Sequence, residues 1–313
     1  MAETGTLTGA TGERTQNPLL HDFSESYFVC ADGTRLRYLR SGNGAVPLIM
    51  VPAFDCTADA YSLNAPALAQ DRTVFILEQR GHGYSDAPAH GRTVQRLAAD
   101  LREFIEFTGE PKVSLLGWSM GAAVLWAYID LFGQDRVDKF VFVDQPPMLI
   151  ADPYESIEER RRHGGHLIDL WHVKSVYHKD FDAGWPVLES YFQVPNLAIT
   201  DEIIDQIPGD YAHKIAMIPH PPAVDKEHRE FLAELVRSHI WNDWRGVFSL
   251  IERPVLLLTG DAAHATTLEC NEWVHSAVPD CTWVRFSTEE FGGHDLCQTA
   301  YQKFNQYVSE FLR

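Results

Sequence analysis

The sequence predicts an α/β fold, a mostly parallel and doubly wound sheet interrupted by a helical insertion, and three observations carry that prediction. Short runs of consecutive apolar residues recur along the chain: Pro47 to Pro52, Thr73 to Leu77, Val113 to Leu116, Phe140 to Val143 and Val255 to Leu258. Helix-like segments separate them, and strands buried on both faces read as such runs when helices cover both sides of a parallel sheet. One of these runs stops on Gly117-Trp118-Ser119-Met120-Gly121 and passes at once into the helix-like run Ala122 to Tyr128. The alternation then lapses from about residue 151 to residue 245 and resumes afterwards.

Taken in chain order, Met1 to Asn17 is polar and lacks the apolar stretch of a signal peptide, so residues 1–25 read as a disordered or extended leader. Between Tyr27 and Arg40 two alternating runs flank Asp32-Gly33, the pattern of a β-hairpin. Val94 to Phe107 carries apolar residues at helical spacing, Cys281 to Phe286 reads as the last strand, and Tyr301 to Phe311 as an amphipathic closing helix. Residues 26–150 and 246–313 are thus assigned to the core and residues 151–245 to a helical cap over the carboxyl edge of the sheet. Within the cap, Glu158 to Arg162 mixes acids and arginines in the manner of a solvated helix face. His163 and His166 are separated by Gly164-Gly165, a poor scaffold for a rigid ligand pair, and no metal site is expected.

At 313 residues, 45% hydrophobic and 22% charged, the chain fits one large soluble domain with an insert. A formal charge of -18 repels polyanions, so nucleic acid and anionic membrane surfaces are excluded as partners, and a small-molecule substrate is expected, with a homodimer allowed. Five scattered cysteines, odd in number and without C-x-x-C pairs, fit a reduced compartment. No run of 18 apolar residues occurs, and the expected location is cytoplasmic.

A serine at a tight strand-to-helix turn needs small residues two positions before and after it, because a Cβ there would clash. Gly117 and Gly121 meet that need and mark Ser119 as a nucleophile. At the tip of such a turn, the helix N-terminus and the Met120 N–H can stabilise an oxyanion. His294 follows the last strand-like run, sits behind Gly292-Gly293 and precedes the closing helix. An imidazole that titrates near the working pH can deprotonate a serine.

In four motifs met in order the chain resembles the α/β-hydrolase superfamily, from Ser26 onward. They are Val51-Pro52-Ala53-Phe54, Arg80-Gly81-His82-Gly83-Tyr84-Ser85, the Ser119 pentapeptide, and Gly292-Gly293-His294. The resemblance implies Ser119 as nucleophile, His294 as general base, and the backbone N–H groups of Phe54 and Met120 as oxyanion hole, with His82 tying a turn together. Two departures stand out: Pro52-Ala53 replaces the usual His-Gly, and Ala263 occupies the usual place of the acid. Asp144 is the favoured acid, since the strand Phe142-Val143 ends directly on it and breaks at Pro146-Pro147, and Asp261 is the alternative.

The expected function is that of a cofactor-independent serine hydrolase cleaving an ester, lactone or similar carbonyl bond through an acyl-enzyme. Trp118, Trp171, Trp185, Tyr191 and Phe192 suggest a pocket for a small hydrophobic or aromatic substrate. Three alternatives stay open: a cofactor-free ring-cleaving dioxygenase of the same fold, a carbon–carbon bond hydrolase, and a ligand receptor built on a hydrolase scaffold.

Overall fold

The computed structural model describes residues 17–150, 154–164, 226–263 and 266–313. Eight strands form one sheet: β1 (Ser24–Val29), β2 (Arg35–Ser41), β3 (Ala45–Val51), β4 (Arg72–Leu77), β5 (Val113–Trp118), β6 (Val137–Val143), β7 (Val255–Gly260) and β8 (Cys281–Phe286). Their order is β1-β2-β4-β3-β5-β6-β7-β8. β1 and β2 make the expected antiparallel hairpin, and β2 runs antiparallel to β4. All remaining neighbours are parallel. At the hairpin tip Gly33 takes φ 86° and Asp32 accepts the Thr34 N–H, the turn chemistry that Asp-Gly promises.

The apolar runs divide residue by residue between two cores, because successive strand side chains point to opposite faces. Ile49, Phe75, Leu115, Phe140 and Leu257 face one cluster, whereas Leu48, Ile76, Leu116, Val141 and Leu256 face the other. The first face is covered by α2 (Val94–Thr108) and α3 (Met120–Phe132), which bury Leu97, Leu101, Phe104 and Trp126. Thr93 caps α2 by accepting the Arg96 N–H, and Gly109 at φ 71° ends it. The second face is covered by α1 (Ala65–Leu68) and the closing helix, Tyr301–Leu312.

Within the segment read as a leader, Asn17 caps a 3₁₀ turn at Pro18–Leu20, and Leu20 and Phe23 are buried in the second core ahead of β1. Two apolar side chains anchor a stretch whose average composition is polar, and average composition hides them. Of the cap expected over residues 151–245, the described parts are helical at α4 (Ile157–His163) and α5 (Lys226–Trp241), and the rest lies outside the described residues. α5 is part of the core packing. It buries Phe231 and Leu235 in the first cluster, and it accepts the Val94 N–H at Ser238 at the start of α2.

Glu78, immediately after β4, is a polar node between the loops at the carboxyl edge of the sheet. Its fully buried carboxylate accepts from Arg37 Nη1 at 2.7 Å, the Ala58 N–H at 2.9 Å and the Tyr84 N–H at 2.9 Å. One side chain therefore fixes the loops that follow β3 and β4. Changing Glu78→Gln puts an amide N–H where three donors converge and strips Arg37 of a buried counter-charge. The expected loss of stability is about 3–5 kcal/mol in denaturant unfolding. An unchanged midpoint would remove Glu78 from this role.

Candidate active site

The parallel register brings the functional side chains to one edge. Val51 of β3 is level with Gly117 of β5, so Phe54 and Met120 leave the sheet three residues beyond the same rung. Trp118 is level with Val143, so Ser119 and Asp144 each follow a paired position. All of these lie at the carboxyl ends of parallel strands, where ligands of open α/β sheets bind.

Ser119 stands between β5 and α3 at φ 53° and ψ −125°, a region that L-residues rarely occupy. Such a conformation costs of order 1–3 kcal/mol and persists only when its surroundings impose it. Here the Ser119 N–H donates to the Val143 carbonyl at 2.8 Å, and its own carbonyl accepts from Ala122 N at 2.8 Å. A Cβ on Gly117 would lie 2.5 Å from the Gly121 backbone, and one on Gly121 would lie 2.3 Å from the Val51 carbonyl oxygen. Both glycines are thus required by backbone packed against backbone. Ser119 itself is half-buried.

Asp144 and His294 meet across this edge. Asp144, fully buried, directly follows β6 at φ 42°, and its N–H donates to the Leu258 carbonyl at 3.0 Å. His294 Nδ1 lies 2.6 Å from Asp144 Oδ2. A carboxylate accepts only, so Nδ1 carries the proton and Nε2 keeps its lone pair for a substrate or nucleophile proton. The chain reaches His294 through a fold so tight that a Cβ on Gly292 would fall 1.9 Å from the Phe286 carbonyl oxygen. Burial lowers the imidazole's pKa, but the hydrogen bond and charge of Asp144, with the charge of Asp295, outweigh it, and His294 titrates above the ordinary 6.5.

The alternative acid is occupied elsewhere. Asp261 accepts from Arg285 Nε at 3.0 Å, and Arg285 Nη2 lies 2.9 Å from the same oxygen, with the carboxylate 31% exposed. Trp118, expected in the pocket, is 4% exposed, its ring centroid lies 5.7 Å from that of His294, and its indole N–H donates to the His294 carbonyl at 2.9 Å. It ties the serine turn to the histidine loop.

On the Phe54 side, Gln79 donates to the Pro52 carbonyl at 2.9 Å and Tyr61 to the Val51 carbonyl at 3.0 Å, pinning the chain that leads to Phe54. The Phe54 ring meets His82 edge-on at 6.0 Å. His82 is buried within its turn, with Nδ1 3.0 Å from the Arg80 carbonyl, and burial lowers its pKa to about 4. The Met120 N–H opens α3, where the first amides have no intrahelical acceptor. Trp171, Trp185, Tyr191 and Phe192 lie outside the described residues.

Sequence reasoning missed four groups. Asp55 and Asp295 directly follow Phe54 and His294; burial pushes Asp55 up to about 6 against the opposing charge of His228, and burial raises Asp295 against His294. Thr266 donates to Asp144 Oδ1 at 2.9 Å, and Asn271 donates to Thr266. Adjacency to the motifs could have flagged the two aspartates, but nothing local marks the other pair. Among the described residues no group of three or more His, Cys, Asp or Glu is placed to hold a metal ion, and no helix is long and apolar enough to cross a membrane.

Residues 46–165 match the family model for the alpha/beta hydrolase fold. The chain is 30% identical over 119 residues to a soluble epoxide hydrolase of Corynebacterium sp., covering 38% of this chain and 41% of the relative. It is 35% identical over 121 residues to an N-formylmaleamate deformylase of Pseudomonas putida, covering 38% and 44%. The chain spans less than half the length of either curated relative. A bromoperoxidase structure from Bacillus anthracis superimposes with a TM-score of 0.71 at 21% identity, over 92% of this chain and 99% of that one. The chain has the α/β-hydrolase fold.

The pairing of His294 with Asp144 predicts its titration. In an NMR pH titration the imidazole should titrate above 6.5, because the carboxylate favours the charged ring. Asp144→Asn should lower that pKa and Asp261→Asn should leave it in place. The reverse result would assign the histidine's partner to Asp261.

Proposed function

We propose that the protein is a cofactor-independent serine hydrolase acting on an ester, lactone or similar carbonyl bond of a small, uncharged, hydrophobic or aromatic substrate. The observation that carries this reading is the 2.6 Å hydrogen bond between His294 and Asp144, at the sheet edge that holds Ser119 in its strained turn. In the proposed reaction Ser119 Oγ attacks the carbonyl carbon while His294 Nε2 takes its proton, and Asp144 holds the ring and stabilises the imidazolium. The oxyanion forms against the Phe54 and Met120 N–H groups. His294 then returns the proton to the leaving group, and a water activated by the same histidine resolves the acyl-enzyme. A chain charge of -18, with Asp55 and Asp295 beside the site, favours a substrate without negative charge. The match to a deformylase supports chemistry at a carbonyl carbon.

A second reading has one observation in its favour. A ring-cleaving dioxygenase of this fold needs the histidine–aspartate pair as base, with the acid after the sixth strand, and it needs no serine nucleophile. Asp144 follows β6. The strained Ser119 turn favours hydrolysis.

Incubation with a fluorophosphonate separates the two. Under the hydrolase reading the probe bonds to Ser119, and its rate climbs with pH through a midpoint above 6.5 as His294 loses its proton. Ser119→Ala should abolish labelling and lower aryl-ester turnover by about 10⁴ or more in kcat. Labelling at another residue, or a Ser119→Ala variant keeping more than about a tenth of turnover, would contradict the assignment.

A further inference from the structure

The loop after β7 presents no carboxylate to His294, since Asp261 is paired with Arg285 and Ala263 has none to offer. It offers a hydroxyl instead. Thr266 Oγ1 donates to Asp144 Oδ1 at 2.9 Å, while Asp144 Oδ2 holds His294. Behind it Asn271 Nδ2 donates to the same hydroxyl at 3.1 Å. Thr266, Asn271 and Asp144 are all buried.

The chemistry of this chain is directional. An amide NH₂ only donates, so Asn271 occupies a lone pair of the Thr266 oxygen and leaves its single proton for Asp144. The carboxylate can turn about its Cβ–Cγ bond and present either oxygen to the ring. With Oδ1 claimed by Thr266, Oδ2 is the oxygen that remains for His294. Thr266 is itself held by the helix that follows it. Thr267 caps α6 (Leu268–Ala277) by accepting the Cys270 N–H, and it donates to the Arg161 carbonyl on α4 at 2.7 Å. Asn271 sits one turn into α6, its N–H bonded to the Thr267 carbonyl.

We propose that Thr266 is a positioning residue for the acid, with Asn271 setting the direction of its hydroxyl, so that Asn271, Thr266, Asp144 and His294 form one relay behind Ser119. The inference rests on the hydrolase reading for its kinetic consequence and on geometry alone for the relay. Asp295 and Cys270 are the other titratable groups beside the pair, and neither replaces the Thr266 hydrogen bond to Oδ1.

Two readouts test it. In fluorophosphonate labelling of Ser119, Thr266→Val should slow the reaction about ten- to hundredfold, as for loss of one hydrogen bond to a buried charge. Thr266→Ser should restore most of the rate, and Asn271→Ala should slow it less than Thr266→Val. In an Asp144→Asn background Thr266→Val should slow it no further, since the hydroxyl acts through the carboxylate. Wild-type labelling by Thr266→Val, or an equal slowing in the Asp144→Asn background, would overturn the proposal. Should Thr266→Val fail to fold, Thr266→Ala carries the same comparison. The second readout needs no reactive serine: the downfield proton resonance of the His294 Nδ1–H should be lost in Thr266→Val and kept in Thr266→Ser. If wild-type protein does not label, the serine reading fails and this resonance still decides the relay, which an unchanged signal in Thr266→Val would overturn.

Discussion

Ser119 at φ 53° and ψ −125° is the point on which the rest of the structure is organised, because that backbone holds only where the chain around it is packed without slack. Val51, Gly117 and Gly121 touch backbone to backbone, and the Val143 carbonyl receives the Ser119 N–H. Those contacts require β3, β5 and β6 to be neighbours in register, and the register follows from burying their side chains in two cores at once. A one-residue slip would exchange every side chain between the faces. The strain at the serine is thus held by hydrophobic packing spread over the whole sheet.

Polar anchors then fix the loops around the serine turn. Glu78, Gln79 and Tyr61 pin the loops after β3 and β4 from below. Trp118 reaches from the serine's own strand to the His294 carbonyl. The opposite side is held by Thr266 and Asp144, one from the loop after β7 and one from the end of β6. Each anchor is a buried group with a partner, the condition under which low dielectric makes a polar contact firm instead of costly.

The sheet was legible in the sequence because burial on two faces writes itself as unbroken apolar runs, and Asp32-Gly33 gives the hairpin away by its turn chemistry. The serine turn was legible for the same kind of reason: Gly117 and Gly121 are steric requirements expressed one residue at a time. The partner of His294 was legible only as a preference for Asp144 over Asp261. Asp144 and Asp261 both end strands, and what separates them is Arg285, which β8 brings beside β7 from 24 positions further along the chain. The same holds for Thr266, whose hydroxyl finds Asp144 over 122 positions. Leu20 and Phe23 escaped notice because two buried side chains barely shift the average of a polar segment.

The central claim is that Ser119 bonds covalently to the substrate's acyl group, and rapid-quench mass spectrometry with an activated aryl ester tests it most directly. The account predicts a burst of phenol equal to enzyme, with the acyl group on the peptide that contains Ser119 before the carboxylic acid appears. Steady turnover of that ester with no acylated peptide at any quench time, or with the acyl group on another residue, would contradict it.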